Sequence, residues 1–407
     1  MKIAVISIGD ELLKGTIENK NLAIIGKELK KMGIVPSLQM TIKDSKDDII
    51  ECLDYLNENF DIIISTGGLG PTDDDLTVKT FADYYGIKLY ENRDVIKHIQ
   101  NILNQKNKPI SRYNLTQAIV PEGCTIIDNP NGTAPGVFFE YKNQKIFLLP
   151  GPPYEMQPMI SNHIIPYIKS NYDYNKTYFN SAYAVNFPES EIQRTVTEKI
   201  KPPENISVAY RAYNGVCEIT FSSNSKKFTD EYFVKFKKLM GNYLLAENYT
   251  NLVEETISLL KKHNLTLSTA ESCTAGMIGS KITDISGVSS IYKGGIISYS
   301  NEIKEHILGV KNSTLEKHGA VSRECAEEMV KCICSKFSTD AGISVTGIAG
   351  PDGGTEEKPV GLVYIAVKLY DHIVIEKCNF IGNRNRVRQR TTNKAIGMLR
   401  MLCIKKM

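Results

Sequence analysis

Two stations along the chain carry side chains whose types and spacing could do chemistry. The first is Phe60-Asp-Ile-Ile-Ile-Ser-Thr-Gly-Gly-Leu-Gly-Pro-Thr-Asp-Asp-Asp-Leu-Thr77. Its apolar run reads as a buried strand that empties into Gly67, Gly68 and Gly70, then into Asp73, Asp74 and Asp75 ahead of an amphipathic segment. Glycines let backbone amides approach an anion closely, and the following helix N-terminus is electropositive. Three carboxylates beside such a cradle would repel a phosphate unless a hard cation such as Mg²⁺ sits between them. One aspartate would be explained as a helix cap. Three after a Gly-Gly-x-Gly favour a phosphorylated ligand with a metal.

The second station gathers three segments. Ser268-Thr-Ala-Glu-Ser-Cys-Thr-Ala-Gly276 has a strand-like approach and a small-residue helix behind it. Ser268 and Glu271 fit a capping box, which places Ser272 in a first helical turn where free amides could hold an oxyanion. Gly294-Gly-Ile-Ile-Ser-Tyr-Ser-Asn-Glu-Ile-Lys304 is a strand ending in polar residues. Val345-Thr-Gly-Ile-Ala-Gly-Pro-Asp-Gly-Gly-Thr-Glu-Glu-Lys-Pro-Val-Gly361 is a Gly-rich loop between apolar strands. A serine nucleophile needs a base, and no histidine lies in a matching motif. Lys304 could serve if burial lowers its pKa, with Tyr299 relaying the proton. Equally, Lys304 is a solvated lysine and Ser272 fills a tight helix start. Further on, Arg384 and Arg388 share one face of the last helix, Arg386 and Arg390 another. Such pairs suit a phosphate or a carboxylate, or form a solvated basic face.

These stations need elements to position them. Strand-like runs at 3–8, 35–42, 61–65 and 145–149 alternate with helical spacing at Leu22, Ile25, Leu29, Met32 and at Ile49, Ile50, Leu53, Leu56. That alternation predicts a mostly parallel sheet covered on both faces. Ligands of such sheets lie at the carboxyl ends of strands, which here carry Gly9-Asp10-Glu11, Lys43-Asp44 and the glycine–aspartate loop. The turns Asn129-Pro-Asn-Gly-Thr-Ala-Pro-Gly136 and Leu149-Pro-Gly-Pro-Pro-Tyr-Glu155 are structural by default, although either could close over a ligand. Residues 171–250 are Tyr-, Asn- and Ser-rich, with strand runs at 178–187, 206–210 and 216–222, and read as a small α+β segment. Its 10 Lys/Arg against 9 Asp/Glu leave a net of +1, and no GxxG clamp appears. A third module from 251 to 407 begins and ends with helical patterns and holds strands at 294–299, 341–346, 360–367 and 372–378.

The whole chain has 407 residues, 42% apolar content and a net charge of +3, too small to imply nucleic acid. No apolar run approaches the roughly 18 residues needed to cross a membrane. The N-terminus enters a strand pattern directly and lacks a signal-peptide layout. Nine scattered cysteines without a CxxC pair predict free thiols and a cytoplasmic protein.

With these residues in view, the chain resembles the CinA family over essentially its full length. The resemblance rests on Gly9-Asp-Glu-Leu-Leu-x-Gly15, Asn21, Thr66-Gly-Gly-Leu-Gly-Pro-Thr-x-Asp-Asp-Leu-Thr77 and the 129–136 turn. In the last module it rests on Ala270-Glu-Ser-Cys-Thr274, Tyr299-Ser-Asn-Glu-x-Lys304, Gly347-Ile-Ala-Gly-Pro-Asp-Gly-Gly354 and Lys358-Pro-Val-Gly361. It implies three domains: residues 1–170 a molybdopterin-binding-like three-layer α/β domain with metal-dependent ADP-ribose pyrophosphatase activity, 171–250 a KH-like α+β segment, and 251–407 an α/β nicotinamide mononucleotide amidohydrolase. Ser272, Tyr299 and Lys304 fall on the family's proposed catalytic positions. On this resemblance the amides of Cys273 and Thr274 steady the oxyanion, and Arg384 or the loop bearing Thr346, Gly347, Gly350, Gly353 and Gly354 holds the 5′-phosphate. In the first domain Gly67, Gly68, Gly70 and Asn21 face the nucleotide, and Asp44, Asp74 and Asp75, with Glu11, hold Mg²⁺, Mn²⁺ or Co²⁺. The amidohydrolase site needs no cofactor. Ala275 stands where the family pattern has glycine and is read as helical. A homodimer is expected; membrane and nucleic-acid partners are not. The rival reading makes the first domain a non-catalytic nucleotide- or pterin-binding module.

Overall fold

Ile-Ala-Val-Ile-Ser-Ile at positions 3–8 is buried along its whole length. Ala4, Ile6 and Ile8 join one apolar cluster, Ile3 and Val5 another. A strand apolar on both sides must be covered on both faces, and in the computed structural model it is. The structure describes residues 1–57, 59–72, 74–105, 107–213 and 215–406. The chain divides into two units, Met1–Thr177 and Tyr178–Met407.

The first unit contains β1 (Ile3–Ile8), β2 (Leu38–Ile42), β3 (Ile62–Thr66), β4 (Leu89–Glu91), β5 (Ile119–Pro121), β6 (Thr125–Ile127), β7 (Gly136–Tyr141) and β8 (Gln144–Leu149). Six strands form one sheet in the order β2-β1-β3-β8-β7-β6, while β4 and β5 pair separately. The first four of the six are parallel, and β7 and β6 are added antiparallel. The helix Lys20–Lys31 buries Ile25 and Leu29 on one face of the sheet, capped by the Asn19 side chain on the Leu22 amide. The helix Lys46–Leu56 buries Ile49, Leu53 and Leu56 on the other, capped by Ser45. β2 starts at Leu38, later than the expected 35, because Pro36 has no amide to donate and Val35 is exposed.

The second unit continues with β9 (Tyr178–Val185), β10 (Ser207–Tyr213) and β11 (Val216–Ser223), an antiparallel sheet in the order β10-β11-β9. The helix Lys226–Met240 packs Phe236 against Ile219 and Phe221. Then follow β12 (Leu267–Glu271), β13 (Tyr292–Ile297), β14 (Ala341–Gly347), β15 (Leu362–Leu369) and β16 (His372–Asn379), in the order β13-β12-β14-β15-β16. β13, β12 and β14 run parallel, and β15 and β16 antiparallel. The helix Arg323–Phe337 covers one face through Cys325, Met329 and Ile333. The helices Leu252–Lys262 and Arg384–Lys406 cover the other through Leu260, Leu399 and Leu402.

The middle segment and the last module share this one unit, and the buried Arg400 side chain links them. Arg400, 1% exposed, meets the Glu255 carboxylate and also donates to the carbonyls of Asn242 and Leu244. All nine cysteines are free. Among the described residues, no helix is long and apolar enough to cross a membrane.

Candidate functional site

Three parallel strands of the second unit end on one edge of their sheet. Ser272 follows β12, Ser298 and Lys304 follow β13, and the Gly-rich loop follows β14. The carboxyl edge of a parallel sheet is where such segments converge. Ser268 and Glu271 lie inside β12, so the expected capping box does not form. Sheet pairing wins over the local helix signal: β12 pairs with both β13 and β14, and the Ser268 hydroxyl bonds Thr339 at 2.7 Å. The helix begins at Met277 instead. Glu271 reaches forward to it, its two oxygens accepting the amides of Ile278 (3.1 Å) and Gly279 (2.9 Å).

Ser272 to Gly276 therefore form a tight turn. The Ser272 amide donates to Val345 and the Ala275 amide to the Ser272 carbonyl, each at 3.1 Å. Ala275, expected inside a helix, has a left-handed φ of 47°, and Gly276 follows at 88°. The amides of Cys273 and Thr274 make no backbone hydrogen bond among the described residues. The Cys273 thiol is buried, and desolvation pushes its pKa up to about 12, which disfavours its thiolate form.

Lys304 is 1% exposed and Ser272 8%. The Lys304 Nζ lies 3.2 Å from Ser272 Oγ, 2.8 Å from the Ser298 carbonyl and 3.4 Å from the Tyr299 carbonyl. Burial pushes the lysine pKa below its ordinary value; the nearby thiols of Cys325 and Cys273 act in the opposite sense. A neutral amine here can give two N–H groups to the carbonyls and turn its lone pair to the serine hydroxyl. The solvated-lysine reading is thereby set aside.

Tyr299 does not form the expected relay. Its side chain is 57% exposed, and its phenol oxygen accepts from Arg384 Nη2 at 2.8 Å. Beyond the end of β13 the side chain turns out to the last helix, and only its backbone carbonyl meets Lys304. Arg384 also donates to the Gly350 carbonyl at 2.9 Å, and Arg388 to the Thr274 carbonyl at 2.8 Å. The Thr346 hydroxyl is occupied by the Ala320 carbonyl. Gly347, Gly350 and Gly354 are close-approach positions, where a Cβ would come within 2.6 Å of the Leu362 carbonyl, 2.5 Å of Val360 Cγ1 and 2.9 Å of the Val360 amide. At Gly353, whose φ is 87°, a Cβ would meet only Ile348 Cγ2, at an ordinary 3.9 Å. Sequence reasoning gave no role to Ser298, whose buried Oγ has no partner and whose carbonyl holds Lys304.

In the first unit the expected residues come together. A cavity of about 570 Å³ at the carboxyl ends of β1, β2 and β3 is lined by Glu11, Asn21, Asp44, Gly67, Gly68, Gly70, Asp74 and Asp75. Asp73 lies outside the described residues. Gly67 and Gly68 have φ of 105° and 66°, and a Cβ on either would come within 2.1 Å of the Ile8 carbonyl or the Thr77 hydroxyl. Burial first, then the charges of Asp75, Asp74, Glu11 and Asp10, raise the Asp44 pKa to about 6. Asp75 is held by the Thr72 amide and hydroxyl at 2.9 and 2.6 Å. Among the described residues, no three His, Cys, Asp or Glu side chains are drawn together as a ready ligand set. The charge of the cavity suits a cation, while the ligating geometry is not assembled. Gln117 was not foreseen: it lines the cavity, donates to the Leu69 carbonyl at 3.1 Å, and keeps Oε1 buried without a partner. No motif surrounds it that could have found it.

Seven buried side-chain polar atoms lack a partner among the described residues. Six belong to these two places: Thr274 Oγ1, Ser298 Oγ and Arg388 Nε near Ser272, and Asn21 Oδ1, Asp44 Oδ1 and Gln117 Oε1 at the cavity. Orphaned polar atoms are rare in folded chains and call for an explanation such as an absent ligand or ordered water.

Comparison with known proteins finds two family matches along the chain. Residues 4–170 match the family described as "Probable molybdopterin binding domain", and residues 249–403 that described as "CinA C-terminal domain". The chain is 39% identical to a "Putative competence-damage inducible protein" of Clostridium beijerinckii, covering 100% of both chains. It is 36% identical to a "CinA-like protein" of Dictyoglomus thermophilum, covering 98% of each. Among solved structures, a competence/damage inducible protein of Agrobacterium tumefaciens is 37% identical over 37% of this chain and 93% of its own, with a TM-score of 0.37.

Proposed function

We propose a function from one premise: this chain belongs to the CinA family, with a molybdopterin-binding-like α/β fold in its first unit and the CinA C-terminal domain in its last module. The last module is read as an amidohydrolase of nicotinamide mononucleotide. Ser272 Oγ attacks the carboxamide carbon while neutral Lys304 takes the hydroxyl proton. The amides of Cys273 and Thr274 face the developing oxyanion. The C–N bond then breaks, the nitrogen leaves as ammonia with the proton returned by Lys304, and water releases the ester as nicotinate mononucleotide. Arg384, at the exposed side, meets the 5′-phosphate. The observation that carries this reading is the 3.2 Å contact between two buried groups, Lys304 Nζ and Ser272 Oγ. Purified protein is expected to release ammonia from nicotinamide mononucleotide, and Ser272→Ala, still folded by circular dichroism, to release none. Undiminished release from that variant removes the nucleophile.

A second reading concerns the first unit, favoured by the unpaired, carboxylate-surrounded Asp44. Asp44, Asp74, Asp75 and Glu11 would hold a divalent cation (Mg²⁺, Mn²⁺ or Co²⁺), which would supply charge neutralisation and polarisation at a pyrophosphate. Gly67, Gly68 and Gly70 let backbone amides approach the phosphates, and Asn21 and Gln117 offer free oxygens to ligand donors. Water attack on the pyrophosphate of ADP-ribose gives AMP and ribose 5-phosphate. Calorimetric binding of ADP-ribose without turnover, with each metal added in turn, would instead make the unit a binding module.

A further inference from the structure

The last helix has a second basic face that the proposed chemistry does not use. Arg384 and Arg388 belong to the Ser272 side, where they donate to Tyr299, Gly350 and Thr274. Arg386, Arg390 and Lys394 turn elsewhere and line a cavity of about 540 Å³ with Asn186, Phe187, Glu189, Val216 and Phe380. Its walls thus come from the last helix, the end of β16, and the middle segment around β9 and β11.

The wall chemistry is specific. The three cations stand at i, i+4 and i+8, on one stripe of the helix, against a single lining carboxylate, Glu189. Lys394 is paired with Glu376 at 2.7 Å. Arg390 spends one nitrogen on the Ile381 carbonyl at 2.9 Å. The Arg386 guanidinium makes no hydrogen bond or ion pair among the described residues. Two forks one turn apart, one free and one half-free, match the oxygens of a phosphate monoester. Phe187, Val216 and Phe380 supply apolar wall beside them. The volume falls within the range of small-molecule sites.

The junction around the cavity is closely fitted. A Cβ on Gly215 would come within 2.5 Å of Asn393, and one on Gly397 within 2.3 Å of the Asn186 amide. The middle segment and the last helix therefore meet at contacts that admit no side chain.

We propose that this cavity is a second anion site, distinct from the Ser272 site, that takes a small phosphorylated molecule with a flat ring, of the nucleoside monophosphate class. Arg386 and Arg390 clasp the phosphate, and the ring lies on the Phe187–Phe380 wall. The inference does not depend on the amidohydrolase reading.

The test is hydrogen–deuterium exchange of the full chain with AMP, inorganic phosphate or adenosine added separately. AMP and phosphate are expected to slow exchange at 186–189 and 386–394, and adenosine to leave these segments unchanged. Arg386→Ala is expected to weaken that protection about tenfold or more in AMP concentration, leaving any protection around 66–75 untouched. The proposal is overturned if saturating AMP protects only residues of the first unit. It is equally overturned if Arg386→Ala leaves protection at 186–189 unaltered, or if adenosine protects as well as AMP.

Discussion

Charged, Lys304 has three N–H groups for the Ser272 oxygen and two carbonyls; neutral, it has two for the carbonyls and a lone pair for the hydroxyl. Only the neutral form can take the serine proton, and burial shifts the balance toward it. The kcat/KM for the amide is therefore expected to rise with pH and level off above a pKa lower than that of a free lysine. Lys304→Met is expected to lose that rising limb and about 10²–10⁴ in rate; a variant keeping both would exclude Lys304 as base. Tyr299 makes a contrasting case. Because its phenol meets Arg384 and not the amine, Tyr299→Phe is expected to raise KM several-fold with kcat nearly unchanged, and a kcat collapse would reinstate the relay. Ala275 holds a backbone conformation that costs an L-residue on the order of 1 kcal/mol relative to glycine. Ala275→Gly is expected to stabilise the second unit by about that amount, less the entropy glycine adds to the unfolded chain, read as an upward shift in its denaturant midpoint.

At the scale of elements, β12 illustrates what local pattern can and cannot say. Ser-Thr-Ala-Glu at 268–271 satisfies a capping box and a short strand equally well, and only its two sheet partners decide between them. Once the strand is chosen, Glu271 is free to cap the helix Met277–Thr283 from one turn away. Glu271→Gln is expected to cost about 1–2 kcal/mol, since its amide nitrogen cannot accept the second backbone N–H; an unchanged melting temperature would show that the cap is dispensable. The strand ends bearing Glu11, Asp44, Gly67 and Ser272 were legible because apolar runs stop abruptly at polar, glycine-rich residues. Lys304's burial was not, because it arises only when β13 lies beside β12. The direction of Tyr299 and the arrival of Gln117 likewise depend on contacts that no local spacing encodes. β6 and β7 went unforeseen because they are a short strand and a hairpin strand whose register comes from β8.

For the whole molecule, Arg400, paired with Glu255 inside the last module, also reaches the carbonyls of Asn242 and Leu244 and so ties the middle segment to it. Removing one partner leaves a buried charge uncompensated, which costs about 3–5 kcal/mol, whereas replacing both with apolar side chains can be nearly neutral. Arg400→Met and Glu255→Leu are each expected to destabilise by that amount, and the double variant by much less than their sum; additive losses in a denaturant double-mutant cycle would refute the coupling. The two proposed chemistries should be separable within one intact chain, since the carboxylate cavity and the serine–lysine pair lie in different units. The decisive measurement follows ammonia release from nicotinamide mononucleotide and AMP release from ADP-ribose side by side, for the full-length protein, its Ser272→Ala variant and the protein treated with chelator. The expected result is that Ser272→Ala abolishes only the ammonia signal and chelator only the AMP signal. Ammonia release that survives Ser272→Ala, or disappears with chelator, would contradict the account.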